Sequence, residues 1–566
     1  MAATHGSTPF SPSDFRSLFE IEPARHAQAD LISLARLMIQ PVDPNDPKDG
    51  PDDEENPFTP AGYTYLGQFV DHDLTFDTES DLADLNTFQL ASNARTPRSD
   101  LDSIYGAGPS DQPYLYGHGA DGSLDGTVLL GDQLDNGVLD VQRNAKGRAI
   151  IGDPRNDENA LVVQLQSVFI RFHNALVARA NAADGVPERT GEDAFSWARQ
   201  ETRHHYQRIL LDDFLPRIID TDALTVKPLF AALAARSKPR LKLFPLDRGP
   251  FMPLEFAMAA YRLGHSMIRP GYRLAESPGK ELLVSIFAGE NGGLRGFQRL
   301  DRKRGIDWTL FFHESLPAGQ ALDEAGRTAN NDRNRSLNEA DHSPNFPHRR
   351  TQFAYKIDTM LVDPIAHLPN AIAPGLLPDD PDPNVLKSLA VRNLLRGRDF
   401  GLPSGEAIAD HLGVPRLKAS ELRVRGSDFD PAKRVRIAQK IPTPAGNTPL
   451  WFYILAEAEQ GVIRTMASAP QTDPQGLGGR LGPVGAAIAA ETFVGLMMLD
   501  SDSVLNTTAQ WRSINGKPSF TMIELLKFIR AIPPGGAQDR TRRQRSRRRP
   551  RRSSRPSENL RLRTCA

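Results

Sequence analysis

Apolar residues recur at helical spacing along much of the chain. The longest such pattern runs from about residue 159 to 183 and predicts a buried, amphipathic helix. Its apolar positions are Leu161, Leu165, Val168, Phe169, Phe172 and Leu176. Similar patterns predict helices near 27–39, 194–212, 253–268, 382–396, 405–412, 483–499 and 521–532. Alternating patterns typical of strands are few and short, so we expect a mainly α protein without internal repeats.

Three ionisable residues stand in a row inside one apolar helical pattern, Tyr65 to Phe76. They are Asp71, His72 and Asp73, and Gln68 lies one turn before His72 on the same side of a helix. Burying such side chains is costly unless each has a partner. The stretch therefore either ends a surface helix with ion pairs or lines a functional site.

Two further positions stand out, although each also has a purely structural explanation. His265 falls in a stripe spaced four, three, four and three residues, which places it on the buried face of the helix predicted at 253–268. Arg155 lies between Asp153 and Asp157 at the predicted start of the long helix. A buried structural histidine and an ion-pair cluster at a helix start would account for both.

Composition excludes several kinds of protein. The 566 residues are 39% hydrophobic and 24% charged, as in a soluble globular protein with a large core. The single cysteine, Cys565, rules out an intramolecular disulfide and makes a thiolate metal site improbable. The apolar run Val484 to Leu499 is interrupted by polar and glycine residues, so no membrane span is expected. No secretory signal is visible, which favours a cytoplasmic or non-classically exported protein.

Charge is distributed unevenly along the chain. The net charge is -2, but residues 539–566 hold twelve arginines and only two acidic residues, Asp539 and Glu558. We expect a helical domain at 61–534 between an N-terminal arm at 1–60 and a disordered, arginine-rich tail at 535–566. The tail could contact an acidic partner, nucleic acid being improbable, and its simplest interpretation is a segment without a catalytic role.

Four segments occur in an order that resembles a known family. They are GQFVDHD from Gly67, GDPRNDENALVVQLQSVFIRFHNALV from Gly152, YRLGHSMIRP from Tyr261 and RNLLRGRDFGLP from Arg392. Together they resemble the animal-type haem peroxidases of the peroxidase–cyclooxygenase superfamily over roughly residues 60–500. The absence of disulfides makes the chain similar to bacterial members. The resemblance implies a mainly α, helical domain around a buried haem of b type.

The resemblance also implies individual roles. His72 would be the distal base that takes a proton from hydrogen peroxide and returns it, with a pKa near neutrality. Arg155 would polarise the O–O bond and stabilise the ferryl haem, and Gln68 would hold the distal water or a halide. His265 would ligate the haem iron, and Asn393 would accept the other N–H of its imidazole.

Further residues would contact the haem edge. Asp71 and Glu158 match the acids that form ester bonds to the haem in this family, the alternative being plain hydrogen bonding. Arg262 would lie near a haem propionate. It stands where cyclooxygenases carry a radical-forming tyrosine, which favours a peroxidase over a fatty-acid dioxygenase. Asn159 replaces the methionine that forms an additional covalent link in some members, so that link should be absent.

A calcium site is implied beside the distal histidine. Its ligands would be Asp73, Thr96, Asp100 and Asp102 with the backbone carbonyl of Arg98, an oxygen set that suits a hard cation. The loop departs from the family pattern, because Asp102 replaces a serine and Arg98 a phenylalanine.

The sequence thus predicts a haem peroxidase that reduces hydrogen peroxide and oxidises a small second substrate, a halide or an organic donor, with a place in the response to oxidative stress. Two alternatives remain. One is a haem-dependent fatty-acid dioxygenase of the same superfamily, and the other is a non-enzymatic adhesion or interaction protein on the same fold. The presence of both His72 and Arg155 speaks against the second, because a purely structural descendant would need neither.

Overall fold

The longest apolar pattern of the sequence forms the helix Ala160–Asn181, which is buried along most of its length. Asn159 starts it in an extended conformation, and its side chain accepts hydrogen bonds from the backbone N–H groups of Leu161 and Val162. This is a standard N-cap, since an asparagine side chain satisfies donors that have no partner within the helix.

The computed structural model describes residues 13–40, 54–76, 92–93, 96–277, 280–287, 293–323, 325–330, 350–369, 380–424, 435–440, 446–468, 479–507 and 511–530. In these ranges the α-helices are α1 Gln28–Met38, α2 Gly62–Leu74, α3 Asp102–Tyr105, α4 Ala160–Asn181, α5 Gly191–Ile209, α6 Leu215–Ile218, α7 Lys227–Ala234, α8 Leu254–Met258, α9 325–330, α10 Leu389–Asp399, α11 Gly405–Leu412, α12 Leu450–Ser468, α13 Pro483–Leu499 and α14 Met522–Phe528.

Strands are short and form small sheets at the edges of the helical body. They are β1 Ser13–Arg16, β2 Glu55–Pro60, β3 Ser92–Asn93, β4 Tyr116–His118, β5 Leu124–Val128, β6 Met252–Pro253, β7 Gly271–Ser277, β8 Lys280–Ser285, β9 Phe353–Tyr355, β10 Arg423–Val424 and β11 Val435–Arg436. The described strands pair as β3-β1-β6 and as the two-stranded sheets β2-β9, β4-β5, β7-β8 and β10-β11. The predicted mainly α class is confirmed.

Two helices have the bounds that the sequence predicts. The helices predicted at 405–412 and 483–499 are α11 and α13 with the predicted ends. In contrast, α12 was not predicted, because its first half is a continuous apolar run without helical periodicity. α7 was also not predicted.

The helix predicted at 253–268 is wrong in its second half. α8 ends at Met258, and Ala259 leaves the helical region with φ -136° and ψ -72°. The chain then continues as the 3₁₀ helix Ala260–His265. The four–three spacing that placed His265 on one α-helical face therefore does not hold, and the turn after Ala259 sets its direction instead.

The helix that carries His72 is packed tightly on both sides. The ring of Phe69 in α2 stacks on that of Phe169 in α4, with centroids 5.1 Å apart and planes at 6°. At the start of α2, a Cβ on Gly62 would come within 2.5 Å of the Phe312 ring and 2.7 Å of the Phe311 carbonyl oxygen. Glycine is needed there because the backbone approaches so closely.

Parts of the expected arm and tail lie outside the described residues, so the domain bounds stay a prediction. Where the arm is described, β1 pairs in parallel with β6, with Phe15 opposite Met252, so it packs on the helical body. Residues 531–566, which include the arginine-rich tail, are outside the description. In the described part, α4 is long and apolar enough to cross a membrane, but 83% of its most apolar window is buried within the protein, as expected for a core helix.

Candidate active site and cation site

One cavity of about 1100 Å³ brings α2, the start of α4, the 257–268 segment and α10 together. It is somewhat larger than the roughly 300–1,000 Å³ typical of small-molecule sites. Of the predicted site residues, it is lined by Gln68, Asp71, His72, Glu158, Arg262 and His265. Two histidines on separate elements thus line one cavity.

His72 is buried in the last turn of α2, and its ring is held by an asparagine that the sequence did not single out. Its Nδ1 lies 2.8 Å from Oδ1 of Asn156. The Asn156 amide nitrogen donates to Gln166 Oε1 at 2.6 Å, which turns Oδ1 toward the histidine. An amide oxygen can only accept, so the imidazole proton lies on Nδ1 and the lone pair on Nε2 remains available as a base.

The pKa of His72 differs from the sequence-based expectation. Burial, followed by the positive charge of Arg155, lowers it from 6.5 to about 4 rather than leaving it near neutrality. The imidazole is therefore neutral at physiological pH.

Glu158 lies beside His72 in the lining of the cavity. Its Oε1 lies 3.8 Å from His72 Nε2 and also accepts a hydrogen bond from the Gln68 amide. The oxygen of that amide accepts from Asn159 Nδ2 at 3.0 Å, so Gln68 is fixed between two partners. Burial raises the pKa of Glu158 to about 7, and the charge of Asp71 adds to the shift.

Arg155 borders His72 from outside the cavity lining. Its guanidinium binds the Asp153 carboxylate at 2.7 Å, donates to the His72 carbonyl oxygen at 3.0 Å and lies 4.2 Å from the Phe76 ring centroid. It is not among the residues that line the cavity. The arginine thus borders His72 through its backbone, and its catalytic role stays a prediction.

Asp71 lines the cavity one residue before His72. Its carboxylate accepts a hydrogen bond from the Thr75 hydroxyl at 3.0 Å. Asp71 and Glu158 therefore reach the same cavity from two elements.

On another wall, His265 contacts the side chain of Asn393, but with the polarity opposite to that expected. The Asn393 amide nitrogen faces His265 Nδ1 at 2.7 Å, because its oxygen accepts from Arg262 Nη1 at 2.8 Å. A guanidinium can only donate, so it occupies the acceptor that the imidazole N–H was expected to use. Burial, and then Arg262, lower the pKa of His265 to about 3, which keeps this imidazole neutral.

The predicted cation ligands come together beside α2. Asp73, Asp100 and Asp102 each place a carboxylate oxygen within 4.8 Å of the others. Asp73 and Asp102 are buried, and burial raises the pKa of Asp100. The Thr96 hydroxyl donates to Asp100 at 3.3 Å, and the Arg98 carbonyl lies in the same turn. Buried like charges at this distance fit a divalent cation bound by oxygen atoms.

Residues that line or support the cavity but were missed by sequence reasoning are Asn156, Gln166, Arg148, Arg295 and Arg396. Asn156 lies inside the GDPRNDE segment, which was the only signal that could have found it. Arg396 lies inside the RNLLRGRDFGLP segment, whereas Arg148 and Arg295 lie in segments without a distinctive pattern.

Comparison with known proteins finds similarity to one family. The model of the animal haem peroxidase family matches residues 79–288. The chain is 28% identical over 122 residues to dual oxidase and 23% identical over 283 residues to chorion peroxidase, both of Drosophila melanogaster. These matches cover 22% and 48% of this chain but only 7% and 27% of the relatives.

Two solved structures share the fold across most of the chain. Peroxidase A from Dictyostelium discoideum matches with a TM-score of 0.52 and 14% identity, covering 92% of this chain and 93% of that one. A fatty acid alpha-dioxygenase of Arabidopsis thaliana matches with a TM-score of 0.50 and 14% identity, covering 91% and 80%. The family model over residues 79–288 and the shared fold make the chain similar to the animal haem peroxidases.

The family whose model matches residues 79–288 is one of haem proteins, and the cavity residues fit a haem. His265 offers a neutral imidazole, the usual axial ligand of haem iron. Four arginines, Arg148, Arg262, Arg295 and Arg396, line the same cavity and suit the two carboxylates of a haem.

Proposed function

We propose that the chain is a haem peroxidase that reduces hydrogen peroxide and oxidises a small second substrate, a halide or an organic donor. One observation supports this most strongly: two neutral histidines line one cavity, and each has its Nδ1 against an asparagine amide, His72 with Asn156 and His265 with Asn393. The pairing suits two tasks that need an uncharged imidazole, binding iron and accepting a proton.

His265 would hold the haem through Nε2, and the bound haem supplies the oxidising chemistry of the site. Ligation by Nε2 requires the imidazole proton on Nδ1, which then needs an acceptor. Asn393 can supply its oxygen only after turning its amide, which Arg262 now prevents. We therefore infer that Arg262 binds a haem carboxylate and that Asn393 then accepts the His265 Nδ1–H.

On the peroxide side, His72 would act as the base. Its Nδ1–H is held by Asn156, so Nε2 is the atom that accepts a proton from peroxide and later returns it to the departing oxygen. A pKa of about 4 means that His72 does not retain this proton for long. Glu158 lies within 3.8 Å and, with a pKa of about 7, is a second group able to hold a proton.

Arg155 and Gln68 would assist by charge and by position. The Arg155 guanidinium donates to the His72 carbonyl oxygen from outside the cavity lining. Its positive charge would favour the negative charge that develops on the leaving oxygen, although Asp153 offsets part of it. Gln68 would orient a water molecule or a halide on the side of the haem where peroxide reacts. Asp71 and Glu158 would contact the haem edge, either through ester bonds or through hydrogen bonds.

A fatty-acid dioxygenase is the second candidate, favoured by the fold shared with the plant alpha-dioxygenase. In the present structure the Tyr261 hydroxyl donates to the Gly67 carbonyl oxygen at 3.1 Å. Arg262 points to the other side, toward Asn393. We retain the peroxidase as the first proposal because His72 has the environment of a proton acceptor.

The proposal is tested with three variants of the haem-loaded protein. His265→Ala is expected to abolish or shift the Soret band. His72→Ala should retain haem but react with peroxide about 10²–10⁴-fold more slowly, the usual contribution of a positioned base. The exposed His118→Ala is the control and should behave as wild type.

Three outcomes would contradict the proposal. An unchanged spectrum and activity in His265→Ala would show that another residue ligates the iron. Oxygen uptake with linoleate in the absence of peroxide would favour the dioxygenase, and a wild-type protein that does not react with peroxide would favour a non-enzymatic role.

A further inference from the structure

A second, smaller cavity of about 140 Å³ lies where the ends of α5, α7 and α13 meet residues 504–507 and 511–518. Four basic residues line it, Arg208, Arg236, Lys238 and Arg512, and no acidic residue does. The cavity is separate from the one that His72 and His265 share, and no residue lines both.

The guanidinium of Arg208 is the most unusual group in this cavity. Arg208 is only 7% exposed, and its buried Nε has no hydrogen-bond partner among the described residues. The nearest carboxylate oxygen, on Asp212, lies 3.9 Å from Nη1, beyond hydrogen-bond distance. A buried cation is costly unless an anion compensates it, and Asp212 at this distance compensates Arg208 only in part.

Asp212 cannot serve fully as that counter-charge, because a second arginine occupies it. Arg236 binds both carboxylate oxygens of Asp212, at 3.2 and 3.4 Å. In the described part of the chain, Lys238 and Arg512 form no ion pair. Among the described residues, Asp212 therefore pairs with two of the four cations that line the cavity.

The backbone of Arg236 supports a role for its side chain. Arg236 follows the end of α7 with φ +56°, a left-handed conformation in which glycine or asparagine is favoured. The Arg236 N–H donates to the Leu233 carbonyl, and the Ser237 N–H donates to that of Ala232. An arginine in this left-handed conformation is under backbone strain, and its guanidinium lies at the cavity.

The size and charge of the cavity define its ligand. Its volume is well below the roughly 300–1,000 Å³ of sites for drug-sized molecules but suits one compact group. Arginine forks bind phosphate through paired hydrogen bonds, and an excess of several cations favours a doubly charged oxyanion over a single carboxylate. We propose that this cavity binds a phosphate group, either inorganic phosphate or that of a small phosphate monoester, with the Trp511 ring as one wall.

The test measures the thermal unfolding midpoint and the calorimetric binding of the haem-loaded protein with inorganic phosphate, and with phenyl phosphate as the monoester. Phosphate is expected to raise the midpoint in a saturable way, whereas chloride at equal ionic strength should not. Tighter binding of phenyl phosphate than of inorganic phosphate would identify a monoester as the ligand, and the reverse order would identify the free anion.

Variants connect the effect to the cavity. Arg236→Gly removes a cation where glycine suits the backbone, so it should fold normally yet bind phosphate at least tenfold more weakly. Arg208→Met and Lys238→Gln should weaken binding in the same way, and the second keeps the test valid if the first does not fold. Arg299→Gln, a remote exposed arginine paired with Asp132, is the control. No saturable binding, or equal binding by wild type and Arg236→Gly, would overturn the proposal.

Discussion

In the two asparagine–histidine contacts, the asparagine presents different atoms to the imidazole. Asn156 presents its oxygen to His72, and Asn393 presents its amide nitrogen to His265. Gln166 fixes the Asn156 amide, and the resulting acceptor places the His72 proton on Nδ1. Arg262 fixes the Asn393 amide in the other sense, so that its N–H faces His265. In both cases a third residue determines which atom of the amide the imidazole contacts.

The contact between Asn393 and His265, the proposed iron ligand, leads to a prediction. Asn393→Leu removes the acceptor that the ligating imidazole needs, and haem affinity should fall by about 10–100-fold, the usual cost of losing a ligand's hydrogen-bond partner. Haem titration followed by the Soret band measures it. Asn384→Leu, at an exposed asparagine on the same segment, should leave affinity unchanged. Equal haem affinity in both variants would show that Asn393 does not support the ligand.

Sequence reasoning found both histidines but not the network around them. His72 and His265 lie in distinctive segments, whereas the importance of Asn156 depends on a contact across 84 positions. Which atom of the Asn393 amide faces His265 could not be predicted either, because it depends on the position of the Arg262 guanidinium. The pKa of His72 was misjudged for a related reason, since complete burial is a tertiary property.

At the scale of elements, the last turn of α2 directs consecutive side chains to different sites. Asp71 lines the cavity, His72 contacts Asn156, and Asp73 joins the acidic cluster. Successive residues of an α-helix point about 100° apart, so this division could be predicted once the helix was recognised. The break at Ala259 could not, because alanine favours helices and the apolar spacing fits an unbroken one.

The acidic cluster should bind calcium and thereby join α2 to the 96–102 loop. Chelation by EDTA is expected to lower the free energy of unfolding, and added calcium should restore it, by about 3 kcal/mol at a hundredfold excess over Kd. Differential scanning calorimetry measures the effect. Asp102→Asn should abolish the calcium response, whereas Asp121→Asn, at an exposed aspartate, should retain it. A chelator-insensitive wild type would exclude a stabilising cation at this site.

For the whole molecule, the resemblance predicted the architecture better than the individual patterns did. Four short segments indicated a helical haem-peroxidase domain, and the fold extends over 92% of the chain in a structure only 14% identical. Such a fold tolerates sequence change because packing depends on volume and polarity at buried positions rather than on particular residues. The small basic cavity could not be predicted from the sequence, since its residues come from four separated segments without a shared motif.

Buried histidines away from the site should make the whole molecule sensitive to acid. In α4, His173 is fully buried between the Tyr105 hydroxyl at 3.0 Å and the Gly126 carbonyl oxygen at 2.9 Å. Burial lowers its pKa from 6.5 to about 4. Between these values the unfolded chain binds a proton that the folded one does not. Stability is therefore complete above pH 6.5 and falls as the pH drops toward 4, by about 2 kcal/mol at pH 5.

His173→Gln cannot titrate, so the difference in unfolding free energy between pH 7 and pH 5 should shrink by about 2 kcal/mol relative to wild type, whatever the variant costs at pH 7. Urea unfolding at the two pH values measures this. His118→Gln, at the surface, is the matched control and should keep the wild-type difference. If His173→Gln kept it too, the proton uptake on unfolding would come from other residues. The neutral state of His173 would then contribute nothing to acid sensitivity.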